Sequence, residues 1–306
     1  MSRIHEALKK AAEERSSRLS SETSPDLLDV STYVGRTTVP IPAEGRASPL
    51  PADLPSKGNS PLCFDEVVKK CGHSKWQLDP KIDAFHRANG DRTGAESFRT
   101  LRSRLYQIAG ARRLKSVLVT SSVPEEGKTF VAANLAQSIA QQDHRRVLLI
   151  DADLRMSRLH QALGAPGTPG LTEYLRGEAD EIAVIHRGLE GNLCFIPGGS
   201  PVANPSELLL GARMKRLLDQ VTPVFDWLVL DSPPALPVHD ASLLADLCDG
   251  VLFVVRAGET DFETAEKASS EFRDKNLLGV VLNRVEKSES YDGYYYGYPA
   301  TDKEKI

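Results

Sequence analysis

Four cysteines in 306 residues are too few and too scattered to staple a fold. Cys63, Cys71, Cys194 and Cys248 form no C-x-x-C pair, which excludes a disulfide framework and leaves four reduced thiols. Cys63, Cys71 and His73 lack a fourth ligand, so no metal site is assigned there. No stretch approaches the roughly 20 consecutive apolar residues that span a bilayer, and the first residues read as a polar helix, not a secretion signal. A net charge of only -4 supplies no positive excess for nucleic acid or anionic lipid, which argues against a DNA-coating role. These absences predict a cytoplasmic protein that binds no nucleic acid.

What is present is unevenly spread. Ile4, Leu8, Ala11 and Ala12 recur at helical spacing among Lys9, Lys10, Glu13 and Glu14, predicting a short amphipathic helix over residues 1–15. Such a helix either docks on its own domain or binds a partner. Residues 16–94 read as a mostly flexible linker. Up to about Leu62 they are rich in Ser, Pro, Thr and Gly, and too poor in apolar side chains to offset the entropy of ordering. Beyond Leu62 come isolated apolar positions such as Phe64, Trp76 and Phe85 that lie over the domain surface. Residues 95–285 are dense in apolar residues and form the folded domain, and residues 286–306 form a disordered, tyrosine-rich tail.

Within the domain, near-continuous apolar runs alternate with helical patterns. Strands are expected at 116–120, 147–150, 227–230, 251–255 and 278–282, with a further one at 193–196, and helices at 95–108 and 128–142. Strands without a polar face, separated by helices, predict an α/β fold: a parallel sheet flanked by helices on both faces. Ligands bind such sheets at the carboxyl ends of the strands.

Three motifs fall at those ends. The turn Ser121-Ser122-Val123-Pro124-Glu125-Glu126-Gly127-Lys128-Thr129 joins a strand to a helix and matches a phosphate-binding P-loop, with Ser122 at the first glycine position. Its backbone amides, through Phe130, would cradle phosphates, Lys128 would reach the β and γ oxygens, and Thr129 would ligate Mg²⁺. One apolar strand ends in Asp151-Ala152-Asp153-Leu154-Arg155, another in Asp231-Ser232-Pro233-Pro234. Carboxylates beside a triphosphate can hold Mg²⁺ or take a proton from an attacking hydroxyl. Finally, Tyr291, Tyr294, Tyr295, Tyr296 and Tyr298 crowd among Gly and Pro without a core periodicity. Exposed phenols beside an ATP site suggest phosphoacceptors, while an adhesive aromatic segment is the other reading.

In this order the motifs resemble the bacterial tyrosine kinases called BY-kinases, over roughly residues 95–298. The resemblance implies a P-loop NTPase (ParA/MinD-like) architecture and an ATP- and Mg²⁺-dependent protein-tyrosine autokinase serving exopolysaccharide synthesis and export. It implies a site of Lys128, Thr129, Asp151, Asp153, Asp231 and Arg155, with Thr129, Asp151 and Asp231 on the metal and either Asp151 or Asp153 as base. Asn283 and Arg284 fall where related P-loop proteins contact adenine. Glu96, Arg99 and Arg102 match an E-x-x-R-x-x-R helix, implying contacts in a ring-like homo-oligomer. No membrane-spanning activator is fused here, so the resemblance implies a separate inner-membrane partner of the chain-length-regulator type, a peripheral position at the inner face of the cell membrane, and a cognate phosphatase. Glu125 stands where the family usually has glycine. It would repel a triphosphate if it pointed inward.

Two other classes share part of this pattern. Partitioning ATPases of the ParA and MinD kind resemble the same sheet but carry a second lysine where this chain has Val123. A non-catalytic scaffold would bind nucleotide without transferring phosphate.

Overall fold

The computed structural model describes residues 62–85, 92–188 and 192–285. The amphipathic stretch 1–15 and the tyrosine-rich tail lie outside them. The apolar runs become strands β2 (Ser116–Ser121), β3 (Val147–Asp151), β5 (Leu193–Ile196), β6 (Trp227–Asp231), β7 (Gly250–Arg256) and β8 (Leu277–Asn283). Two three-residue strands, β1 (Gly72–Ser74) and β4 (His186–Gly188), extend one edge to give the order β1-β4-β5-β3-β6-β2-β7-β8. Only β4 and β5 pair antiparallel; the other neighbours are parallel. The helices are α1 (Phe64–Lys70), α2 (Arg92–Ala111), α3 (Lys128–Ala140), α4 (Leu159–Leu163), α5 (Leu171–Arg176), α6 (Pro205–Leu210), α7 (Ala212–Val221), α8 (Asp240–Ala245) and α9 (Phe262–Ser270).

Strands β2, β3 and β6 are buried at every residue, which is why their sequences show no polar alternation. Successive side chains instead feed two cores. Val117, Val119, Leu149 and Val229 pack with Phe98 and Leu105 of α2 and Val131, Leu135 and Ile139 of α3. Leu118, Leu148, Ile150 and Leu230 face the other way, toward Met214, Leu217, Leu218 and Val221 of α7 and Ala265 and Ala268 of α9. The spacing 214, 217, 218, 221 is one helical face, and each fully buried aliphatic side chain there contributes about 1.5–3 kcal/mol.

Residues 64–85, read from sequence as linker, belong to the folded domain. Phe64 sets its ring edge-on to Phe225 at 5.7 Å, β1 pairs with β4, and Trp76 meets Phe195 edge-on at 6.2 Å. The strap then crosses α4, where Asp79 N donates to Ala162 O at 3.0 Å. It is clipped to α3 by buried Asn134, whose amide accepts from Ala84 N at 2.8 Å and donates to Ile82 O at 2.7 Å. Isolated apolar residues suffice here because each finds a partner far along the chain.

Candidate active site

Parallel register brings the chemistry together. Asp151 and Asp231 are paired residues on β3 and β6, and Val119 of β2 is paired with Asp231 from the other side. The two carboxylates therefore stand on adjacent strand ends, about 4.8 Å apart in backbone spacing, directly beside the turn leaving β2. Gly127 opens α3 with φ 96°, a conformation that favours glycine, and Asn283 Nδ2 sits where a side chain at 127 would begin. Ser122 fits the first glycine position as a buried residue, its carbonyl accepting from Leu236 N at 3.2 Å.

Lys128 Nζ lies 3.2 Å from Asp153 Oδ2 and 3.4 Å from Thr129 Oγ1. Burial alone would pull this ammonium down, yet Asp231, Asp153 and Asp151 together hold it above its ordinary value. The carboxylates feel the same burial with the opposite sign. Desolvation, followed by the charge of Asp231, pushes Asp151 up to about 7. Desolvation also pushes Asp231 up to about 6, against the pull of Lys128 and of the Thr129 hydroxyl bonded to it. The site is thus an acidic cluster with one fixed cation, short of positive charge.

The carboxylates are committed differently. Asp151 Oδ2 accepts from Ser157 Oγ at 2.7 Å and Leu159 N at 3.2 Å, and its Oδ1 accepts from Asp153 N at 3.2 Å. Asp153 Oδ1 takes Met156 N at 3.0 Å, leaving Oδ2 to Lys128. Asp231 is 2% exposed and its Oδ1 is buried without a hydrogen-bond partner. A buried oxygen aimed at nothing costs free energy, so Asp231 beside the Thr129 hydroxyl fits a hard divalent cation. Among the described residues no group of three or more His, Cys, Asp or Glu side chains is placed to hold a metal ion by itself. Of the three expected metal contacts, Asp231 has a buried oxygen without a partner, Thr129 bonds to the same carboxylate, and Asp151 accepts one bond on Oδ1 and two on Oδ2.

Other expected contacts turn elsewhere. The Glu126 side chain is buried under the loop and not directed at phosphate: Oε2 accepts from Val123 N at 2.8 Å and Oε1 from Thr260 Oγ1 at 2.6 Å. Phe130 packs edge-on to Phe98 at 5.6 Å, on the helix side of the loop. Arg155 is paired with Asp240 at 2.7 Å and donates to Ser206 Oγ at 2.8 Å, tying the β3 loop to α6 and α8. Asn283 Nδ2 donates to Glu126 O at 2.8 Å, and Arg284 follows at φ 56°. Val123, Pro124 and Glu125 rim a cleft of about 300 Å³ that Arg256, Thr260 and Asp261 close on the other side. Thr260 and Asp240 carry no sequence signal, because each acts through a partner more than 80 residues away. Glu96 and Arg99 pair at 3.0 Å on the solvent face of α2, but Arg102 donates inward to Ser138 O at 2.5 Å.

Glu125 is exposed with φ 67°, which explains the glycine usual at this position: a side chain there costs about 1–2 kcal/mol. The side chain is exposed at the rim of the cleft. Glu125→Gly is expected to leave nucleotide affinity within about twofold and to raise the unfolding free energy by up to about 1 kcal/mol, the relief of strain being partly offset by glycine's greater freedom when unfolded. Denaturant melts and titration with a fluorescent ATP analogue check both.

A strand-to-helix phosphate loop facing two strand-end carboxylates on a parallel sheet defines a P-loop nucleotide-binding domain. In agreement, residues 117–298 match the CobQ/CobB/MinD/ParA nucleotide binding domain. The chain is 37% identical over 205 residues to tyrosine-protein kinase YwqD of Bacillus subtilis, covering 66% of this chain and 86% of that one. It is 35% identical to tyrosine-protein kinase ptk of Acinetobacter johnsonii, covering 66% of this chain but only 28% of that longer protein. The solved kinase domain of Escherichia coli tyrosine kinase ETK superimposes with a TM-score of 0.60 at 32% identity, covering 67% of this chain and 81% of that one. The chain belongs to the bacterial tyrosine-protein kinases. No helix among the described residues is long and apolar enough to cross a membrane.

Proposed function

We propose that this kinase transfers the γ-phosphoryl group of ATP to tyrosines of its own C-terminal cluster, between copies of the chain. The observation that carries this reading is the disposition of Lys128, Asp153 and Asp231. Among the described residues the Lys128 ammonium has only Asp153 Oδ2 and the Thr129 hydroxyl as hydrogen-bonding neighbours, so phosphate oxygens can draw it away and leave Asp153 free to accept a proton. Asp153 is therefore assigned as the base, because Asp151 is held by three donors. A tyrosine hydroxyl attacks the γ-phosphorus; its proton passes to Asp153 Oδ2, the bond from phosphorus to the bridging oxygen breaks, and the electron pair leaves with ADP. Mg²⁺ held by Thr129 and Asp231 would supply charge neutralisation on the triphosphate. The cleft beside Glu125 and the backbone near Asn283 and Arg284 would take the rest of the nucleotide.

Strand β8 ends at the lip of this site and the sequence continues from it into Tyr291, Tyr294, Tyr295, Tyr296 and Tyr298. Each phosphate adds about -1.5 to -2 charges at pH 7, which would repel the acidic site and disperse a ring held by Glu96 and Arg99. Control of exopolysaccharide synthesis, a separate inner-membrane activator of the chain-length-regulator type and a cognate phosphatase follow from the family resemblance and are part of the same proposal.

Mixing tests the transfer between copies. One protein carries Lys128→Ala and an intact tail; the other has an intact site and all five tail tyrosines changed to phenylalanine. After incubation with Mg-ATP, peptide mass spectrometry is expected to find phosphate on the tail of the Lys128→Ala protein. An unmodified tail there, with robust labelling of wild type alone, would show transfer within one chain.

A further inference from the structure

Residue 126 occupies an unusual place in the phosphate loop. It lies between two left-handed positions, Glu125 at φ 67° and Gly127 at φ 96°, yet the residue is 1% exposed. Four contacts converge on it. Its Oε2 accepts from Val123 N at 2.8 Å, closing the loop on itself. Its Oε1 accepts from Thr260 Oγ1 at 2.6 Å and, at 3.4 Å, from Arg256 N at the end of β7. Its carbonyl accepts from Asn283 Nδ2 at 2.8 Å at the end of β8. One residue thus ties the phosphate loop to the ends of β7 and β8 and to the connection that follows β7.

We infer that Glu126 is a positioning residue for the nucleotide: its buried carboxylate latches the phosphate loop to the β7–α9 connection through Thr260 and fixes the loop's shape before ATP arrives. A loop with a left-handed residue on each side of one position has other backbone states open to it, and each would turn amides away from the phosphates. Preorganisation of this kind shows in affinity, because an unlatched loop must be ordered when the ligand binds. Both carboxylate oxygens are taken by protein donors, so the residue acts through the loop backbone and through Thr260. Neither the family match nor the phosphate-loop motif assigns it this part. The inference rests on the site binding ATP, and not on which group then receives phosphate.

The test compares wild type with Glu126→Ala, Glu126→Gln, Thr260→Val and the Glu126→Gln/Thr260→Val pair, reading the Kd of a fluorescent ATP analogue with Mg²⁺ beside the Tm of the nucleotide-free protein. Glu126→Ala leaves Val123 N–H without its acceptor and is expected to weaken binding about tenfold or more, the loss of roughly 1.4 kcal/mol or more. Glutamine can keep the latch at the loss of the long 3.4 Å contact from Arg256 N: its oxygen takes Val123 N–H and its amide donates to the Thr260 hydroxyl, which rotates to accept. Glu126→Gln is therefore expected to stay within about threefold of wild type, and the paired variant, whose amide faces a methyl group, to fall to the level of Glu126→Ala. If Glu126→Ala does not fold, Thr260→Val and the pair carry the same comparison. Variants that lose Tm but bind as wild type would make Glu126 a structural residue and overturn the inference, as would a Glu126→Gln protein as weak as Glu126→Ala. A wild type that binds ATP and never labels tyrosine would defeat the proposed transfer while leaving the latch intact.

Discussion

Lys128→Ala is expected to lower tyrosine phosphorylation at saturating Mg-ATP by a factor of about 10² to 10³, the usual cost of removing one fixed charge-stabilising donor. The expectation is anchored in the charge balance of the site. Lys128 is the cation facing Asp151, Asp153 and Asp231, and no other Lys or Arg is within ion-pair distance of those three among the described residues. Removing it takes the positive charge from the β and γ oxygens during transfer. It also leaves three clustered carboxylates that can be neutralised only by protons. Nucleotide-free Lys128→Ala is therefore expected to melt below wild type by more at pH 8 than at pH 5.5, since the acids are already partly protonated at the lower pH. Initial rates of phosphate incorporation and melts at the two pH values check the pair of outcomes. Activity within tenfold of wild type would mean that another group does the work assigned to Lys128.

Asp231→Asn is expected to abolish Mg²⁺-dependent transfer, by about 10² or more, while stabilising the nucleotide-free protein at pH 8. The sign follows from the raised carboxyl. A group whose folded pKa exceeds its unfolded value stabilises the fold while protonated and loses that contribution as pH rises through the folded value. For Asp231 that decline runs from about 4 to about 6, and for Asp151 to about 7, so the nucleotide-free wild type is expected to lose stability from pH 5 to pH 8. Asparagine has the same shape without the buried charge. The raised value already contains the attraction of Lys128, so the charged form of Asp231 is on balance the costlier one in the fold. A net gain of about 1–2 kcal/mol would raise Tm by several degrees at pH 8 in a domain of this size. Adding Mg-ATP should reverse the order, stabilising wild type and not the variant. A variant that melts lower than wild type at pH 8 without ligand would contradict the reading of Asp231 as a strained, ligand-awaiting carboxylate.

Much of this site was legible from the chain. The runs ending in Asp151 and Asp231 are apolar on both faces, so their strands announced themselves, and parallel strands put their carboxyl ends on one edge. Strands β1 and β4 were not legible. Gly72-His73-Ser74 and His186-Arg187-Gly188 are too short and polar to show a period, and they form only because each pairs with a neighbour at the sheet edge. The inward turn of Glu126, the pairing of Arg155 with Asp240 and the clip of Asn134 on the strap were equally invisible. In each case the partner is remote in sequence, and side-chain identity alone does not tell an acid that meets phosphate from one that braces the loop behind it. Arg155 is the clearest instance: its position after Asp153 suggests phosphate, while the fold gives it to a carboxylate 85 residues away.

The central claim is that this chain phosphorylates its own tyrosine cluster. Its most direct test is intact-mass and peptide mass spectrometry of phosphatase-treated protein after incubation with Mg-ATP. Successive additions of phosphate confined to Tyr291, Tyr294, Tyr295, Tyr296 and Tyr298, and absent from Lys128→Ala, are the predicted result. ATP hydrolysed while every tyrosine stays unmodified, even with an inner-membrane activator present, would contradict it and return the protein to the partitioning-type ATPases whose sheet it shares.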